Sequence, residues 1–411
     1  MEKVQCVRGT YDLYGAAKRK MKKVVNVGSM VVEKYGFEEI ETPIFEFTEV
    51  FARNLGDTSD IVTKEMYCFE DKGGESLTLR PEGTAGVVRA FVSNGMQQNL
   101  PIKFYYTGPM FRYERPQKGR QRQFTQFGVE LLGVETPQAD VEIIAMAYEF
   151  LEKLGLNGQI TVEINSLGDA QSRDAYREKL VAYLQANYDK LSEDSKKRLD
   201  KNPLRVLDSK EECDKAVVEN APLYADSLNE VSRKFFSDVL RGLDLLGIKY
   251  RVNNHLVRGL DYYSHTVFEL TTDKLGAQGT VLAGGRYNGL VGQMGGGDVA
   301  GIGWACGVER LSMLLEEDVS LPRPIAVIPV GEDANDAALE IAYKLRRAGF
   351  AVEHSYGGNM KKRMMKANKA NARKAVIIGS DELVDKTATI KDLDSGEQNM
   401  VALENLIEEL Q

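Results

Sequence analysis

The apolar positions of this chain change period along its length, and those changes mark out its elements. Between residues 18 and 35, Met21, Val24, Val25, Gly28, Val31, Val32 and Tyr35 recur at helical spacing with Lys and Glu between them, predicting one amphipathic helix. Gly36-Phe37 ends it. Residues 38–45 read as a strand whose Pro43 places it at an edge or an interface. Residues 104–133 predict a strand, a loop and a strand, with Arg112 and Glu114 on one face of the first. In the second, Arg122, Phe124, Gln126, Gly128 and Glu130 share a face, while Phe127, Val129 and Leu131 point the other way into a core. The loop between them, Arg115-Pro116-Gln117-Lys118-Gly119-Arg120-Gln121, is cationic and suits a polyanion.

Residues 169–245 turn to polar helical sequence, interrupted at Asn202-Pro203, and read as an inserted helical module with solvated Lys and Glu faces. Strand signals return at 250–257, 266–270 and 280–283, and a helix starts near Val308. Pro322-Arg323-Pro324 reads as a linker. Beyond it, strands at 325–330, 351–354 and 375–378 alternate with helices at 333–348 and 359–372, which implies a small parallel or mixed α/β domain.

Composition sets outer limits. The 411 residues suggest two or three domains, and 43% hydrophobic with 28% charged residues is ordinary for a globular protein. Cys6, Cys68, Cys213 and Cys306 are too scattered for a zinc site and too few for a disulfide scaffold, so a reducing cytosol is expected. Neither a signal peptide nor a membrane span is expected. A net charge of -8 argues against indiscriminate nucleic-acid binding, leaving that task to local basic patches.

Four further segments combine polar groups with glycine. In Arg80-Pro81-Glu82-Gly83-Thr84, a carboxylate and a hydroxyl flank a glycine, an arrangement that holds an ammonium group or, equally, caps a helix at Thr84. Arg258-Gly259-Leu260-Asp261-Tyr262-Tyr263 ends a strand with an arginine and two phenols. The glycine pair of Ala283-Gly284-Gly285-Arg286-Tyr287-Asn288 is open to reading as a turn. In residues 301–311, glycines on alternate positions clear one strand face, and Arg310 stands in the first turn of the next helix, where phosphate is favoured. There is no P-loop or dinucleotide fingerprint, and His255, His265 and His354 lack metal or nucleophile spacing.

Read in order, these segments resemble the motifs of class II aminoacyl-tRNA synthetases, and specifically the histidyl-tRNA synthetase family. Residues 36–46, 111–130 and 301–311 resemble the three class motifs, and 258–263 and 283–287 the two histidine-specific ones. Residues 202–208 resemble a stretch of that enzyme's insertion. The fold implied is α/β (α+β): an antiparallel sheet flanked by helices in a catalytic domain over 1–321, an insertion at about 169–245, and an α/β anticodon-binding domain over 322–411. The activity implied is ATP-dependent formation of histidyl-adenylate, then transfer of histidine to tRNA(His), by a cytoplasmic homodimer with Mg²⁺ on the ATP phosphates and no metal held by the protein alone.

The resemblance also implies roles. Arg112, Arg258 and Arg310 would be catalytic. Glu82, Gly83, Thr84, Arg112, Gln126, Glu130, Arg258, Tyr262 and Tyr263 would hold histidine, and Arg112, Glu114, Arg120, Phe124 and Arg310 would hold ATP. Arg115, Gln117 and Lys118, with Lys362, Lys366 and Arg373 of an acid-free basic run, would meet tRNA. A rival from another class is a synthetase-like regulatory subunit of ATP phosphoribosyltransferase, which binds histidine without activating it and lacks the C-terminal domain.

Overall fold

The computed structural model describes residues 3–52, 61–117, 119–207, 209, 211–258, 262–275, 279–316 and 319–411. Lys118, Asp208, Gly259, Leu260 and Asp261 lie outside the described residues. The chain forms two compact units, Met1–Val319 and Ser320–Gln411.

In the first unit the helix Gly15–Lys34 buries Met21, Val24, Gly28, Val31 and Val32, the face its spacing predicts. It lies against an eight-stranded sheet in the order Glu38–Glu39, Ile102–Phe111, Gln123–Leu132, Gly301–Gly307, Thr280–Arg286, Ser264–Thr271, Thr161–Ser166, Tyr250–Val252. All pairings are antiparallel except the outermost at each end. One face packs on the helices Gly15–Lys34, Pro137–Lys153, Glu230–Leu245 and Val308–Leu314, through Phe127, Val129, Leu131, Phe150, Ile302 and Trp304. The other face carries the helices Thr84–Ser93 and Ala170–Ala186, with Tyr262, Tyr263 and Tyr287 in the cluster between.

Several expectations shift. The strand expected at 38–45 is two: Glu38–Glu39 joins the large sheet, and Phe45–Phe47 joins a separate three-stranded sheet with Ser76–Leu79 and Tyr67–Glu70. Pro43 falls between them, where a missing N–H breaks the ladder. Arg112 and Glu114 do not stand on the first long strand, which ends at Phe111. Arg112 N–H still reaches Arg122 O at 2.9 Å, but Glu114 N–H turns back to Arg112 O at 2.7 Å, so the chain is already leaving the sheet.

The strand expected at 250–257 stops at Val252. There the Asn253 side chain accepts from His255 N–H at 3.1 Å and donates to Glu163 at 2.6 Å, offering the backbone an alternative to the ladder. Ala283-Gly284-Gly285 is no turn; it lies within the strand Thr280–Arg286. The polar stretch 169–245 is helical and breaks at Asn202-Pro203, yet its last helix sinks Val239 and Leu243 into the main core.

The second unit is a five-stranded mixed sheet ordered Val352–His354, Ile325–Pro329, Lys374–Ile378, Thr387–Asp392, Gln398–Ala402. The first three strands are parallel and the last two antiparallel. The helix Asn335–Arg347 covers one face, and Met360–Lys369 sets Ala367 in a smaller cluster against Ala326 and Ile328.

Candidate active site

On the face away from the main core, the register aligns Gly285, Gly303, Glu130 and Phe104 in one row across four strands. The row is hollow because it has to be. A Cβ on Gly303 would lie 2.2 Å from Glu130 Oε2, and one on Gly285 would lie 2.8 Å from the Tyr263 ring. Gly83 and Gly128 do the same for Tyr106, whose ring and hydroxyl would be 2.2 and 2.4 Å from their Cβ atoms. Five large polar side chains, Glu130, Tyr106, Tyr262, Tyr263 and Tyr287, thereby fit over a sheet built largely of small residues.

Glu130 is the centre of this layer, 1% exposed. Thr84 Oγ1 donates to its Oε1 at 2.6 Å and the Tyr287 hydroxyl donates to Oε2. Burial pushes its pKa up to about 8 against those two donors, and the neighbouring Glu82 adds to the rise. Glu82, 3% exposed, accepts from Thr84 N–H and Ala85 N–H, both at 2.8 Å, so it is Glu82 rather than Thr84 that caps the helix Thr84–Ser93. Burial raises its pKa as well. Tyr106, Tyr262 and Tyr287 are lifted well above the ordinary phenol value by burial and then by charged or phenolic neighbours, so their hydroxyls remain donors. Tyr106 OH and Gln126 Oε1 are buried without a hydrogen-bond partner among the described residues. A buried polar layer with uncommitted groups is equipped for a small polar molecule.

The arginines stand around it. Arg112 is fixed by Nε donating to Pro81 O at 2.8 Å, its guanidinium 5.3 Å from the Phe124 ring and 4.0 Å from Glu114. Arg120 pairs with the same Glu114 at 3.2 Å. Arg258 pairs with Glu269 and lies 5.8 Å from the Tyr263 ring, while Thr280 Oγ1 donates to the other Glu269 oxygen at 2.6 Å. Burial lowers the Arg310 pKa, Arg120 adds to that, and Glu114 and Glu269 oppose it, which puts those three within electrostatic reach of Arg310. Arg112, Arg258 and Arg310 are thus linked through two glutamates into one group.

Around the loop, Gln117 and Arg120 exchange backbone hydrogen bonds at 3.0 and 2.9 Å, leaving Arg115 and Gln117 exposed. Arg122 stacks on Tyr113 at 3.8 Å, and its N–H donates to Gly9 O at 2.8 Å, tying the Arg8-Gly9-Thr10 segment to the loop. A cleft of about 420 Å³ opens beside Phe124, Gly119, Gln121, Tyr11 and Glu309. Both Glu309 oxygens accept from Thr125 N–H, at 2.8 and 3.0 Å, a brace that sequence reading did not pick out.

Not every residue of the quoted motifs joins this layer. Arg286 points into the opposite core, where it and Asp140 are both 0% exposed and paired, with Val134 O and Thr136 O taking further N–H groups at 2.8 and 3.4 Å. Trp304 likewise stacks on Phe127 and Phe150, each at 5.9 Å. In the second unit Lys362 and Lys366 are exposed on their helix, but Arg363 donates to Pro329 O, and Arg373 donates to Leu410 O at 2.5 Å and covers the Phe350 ring. Tyr106, Glu269 and Thr280 were missed. A lone acid in the apolar run Thr266-Val267-Phe268-Glu269-Leu270 was the available signal.

A family model described as Histidyl-tRNA synthetase matches residues 9–311, and one described as Anticodon binding domain matches 324–411. The chain is 57% identical to the histidine--tRNA ligase of Rhodospirillum rubrum over 98% of this chain and 97% of that one. It is 53% identical to the Gluconobacter oxydans protein of the same name, over 99% and 98%. Among solved structures it resembles apo S. aureus histidyl-tRNA synthetase, with TM-score 0.83, 36% identity and 99% of each chain covered.

Proposed function

The chain belongs to the histidyl-tRNA synthetase family, and we propose from that premise that it activates L-histidine with ATP, releasing pyrophosphate, and passes the histidyl group to the 3′-terminal adenosine of tRNA(His). A carboxylate and a triphosphate repel one another, so the first step is mainly a matter of positioning and of cations aimed at developing charge. The observation that carries the reading is the grouping of Arg112, Arg258 and Arg310 beside the buried layer centred on Glu130.

In this reading Glu82 and Thr84 receive the α-ammonium, with Gln126 nearby and Gly83 leaving room. Glu130 and Tyr263 meet the imidazole nitrogens and Tyr262 shapes the pocket. A side chain without ring N–H groups would leave these buried partners unsatisfied, which gives selectivity without editing. Arg112 holds the α-phosphate, Arg258 neutralises charge between carboxylate and α-phosphate, and Arg310 takes the γ end. Phe124 stacks on adenine, Glu114 reaches its amino group and Arg120 the phosphates. ATP enters as its Mg²⁺ complex, the ion held largely by the phosphates; among the described residues no group of three His, Cys, Asp or Glu could hold a metal by itself.

We assign catalysis to 1–321, with the insertion at about 169–245, and tRNA anticodon contact to 322–411; Arg115, Gln117 and Lys118 meet the acceptor end of the tRNA, and Lys362, Lys366 and Arg373 contact it from the second unit. Arg373 would bring to that contact a guanidinium whose Nη2 is already held by Leu410 O. A homodimer is supported by the apolar side chains Ile44 and Phe45, 42% and 48% exposed in the segment resembling the first class motif, and by Phe47 just past it, 52% exposed. The setting we propose is cytoplasmic; no helix among the described residues is long and apolar enough to cross a membrane.

Histidine-dependent exchange of labelled pyrophosphate into ATP is the test. Exchange with histidine and not with other amino acids is expected. Folded protein that binds histidine but supports no exchange would favour the regulatory-subunit reading.

A further inference from the structure

Glu269 sits at a costly place. On the strand Ser264–Thr271 it pairs directly with Glu163 of the neighbouring strand, so two carboxylates share one face. Like charges placed opposite each other destabilise a sheet unless each is compensated. Glu163 has its own partners, Arg251 and Asn253, and leaves Glu269 to Arg258 and Thr280. On Arg258 only the Nη1 corner is given to Glu269, and its Nε is buried without a hydrogen-bond partner among the described residues. By contrast, the Arg286 guanidinium uses Nε, Nη1 and Nη2 together on Asp140 and backbone carbonyls.

We propose that Glu269, itself oriented by Thr280, is a positioning residue for the activation step, anchoring one corner of Arg258 so that its remaining edge faces the point where the substrate carboxylate meets the α-phosphate. The proposal rests on the role given to Arg258 above. Arginine reads anions through planar, bidentate edges, so the angle at which the guanidinium is held decides how well it meets a transition state. Thr280 takes the second Glu269 oxygen and stops the carboxylate from rotating.

Single-turnover rates of adenylate formation and equilibrium histidine binding test this in Glu269→Gln, Thr280→Val, Thr280→Ser, Arg258→Ala and the Glu269→Gln/Arg258→Ala double variant. Glu269→Gln is expected to slow the chemical step by about 10- to 100-fold while histidine affinity stays within about twofold. Thr280→Val should slow it by about 3- to 10-fold and Thr280→Ser restore it, the comparison that decides matters if Glu269→Gln does not fold. The double variant should be no slower than Arg258→Ala, because Glu269 acts through that arginine. A wild-type rate in Glu269→Gln, or losses that multiply in the double variant, would overturn the proposal. If Arg258→Ala itself reacts at the wild-type rate, the reading of the site falls with it; if Arg258→Ala is slow and Glu269→Gln is not, only the positioning role falls.

Discussion

The two faces of the Gln123–Leu132 strand are both buried, yet they are made for opposite ends. On one, Phe127, Val129 and Leu131 close against Phe150 and Trp304 with ring centroids under 6 Å apart, and of these side chains only the Trp304 N–H lacks a partner among the described residues. On the other, Gln126, Gly128 and Glu130 lie with Tyr106, Thr84 and Tyr287, and two polar atoms, Tyr106 OH and Gln126 Oε1, remain uncommitted among the described residues. The same contrast separates Arg286, bonded through Nε, Nη1 and Nη2 in the core, from Arg258, whose Nη1 is given to Glu269. Burial does not distinguish a core from a site. What does is whether the buried polar groups have already spent their hydrogen bonds.

That contrast can be broken most forcefully from the core side. Trp304→Ala is expected to cost about 3–5 kcal/mol of stability in denaturant titration, with little change in the activation rate of the molecules that remain folded. Arg258→Ala should do the reverse in the main, slowing adenylate formation by about 10²–10³-fold with a far smaller loss of histidine affinity, and lowering the unfolding midpoint less than Trp304→Ala does because Thr280 still serves Glu269. Equal losses in rate and affinity would mean that Arg258 only binds substrate.

A subtler difference lies in pH. Because burial raises the Glu130 pKa from 4.5 to about 8, the folded chain keeps a proton there that the unfolded chain has lost. Stability should therefore fall as pH rises from about 4.5 to about 8, by about 1 kcal/mol per unit from this group, and level off above. Urea midpoints of wild type and Glu130→Gln across that range check it, since the variant should lack this part of the slope. Smallest of all, Lys362→Ala with Lys366→Ala should weaken tRNA binding by about 3- to 10-fold, less so at high salt, and leave pyrophosphate exchange untouched.

Much of this was legible from period alone. Strand alternation separates Phe127 from Gln126, and the glycines at 301, 303 and 307 mark the open face. Where the chain leaves a sheet is not written in period: Arg112 and Glu114 lie past the strand end, and Asn253 cuts its strand short through its own side chain. Nor does a motif say which face each residue takes, so Arg286 and Trp304 read alike with Gly285 and Gly303 although they point into the core. Arg373 looked like a surface cation because its acceptor, Leu410 O, is distant in sequence. The strands Thr387–Asp392 and Gln398–Ala402 carry too much Thr, Lys and Gln to stand out.

The central claim is that the layer around Glu130 exists to bind and activate histidine, at some expense to stability. Measuring histidine-dependent pyrophosphate exchange and the thermal midpoint side by side in Glu130→Gln puts it to the test. The account predicts a histidine KM raised by about 100-fold with a midpoint equal to or above wild type. An unchanged KM with a lowered midpoint would show that Glu130 belongs to the scaffold, and would contradict the account.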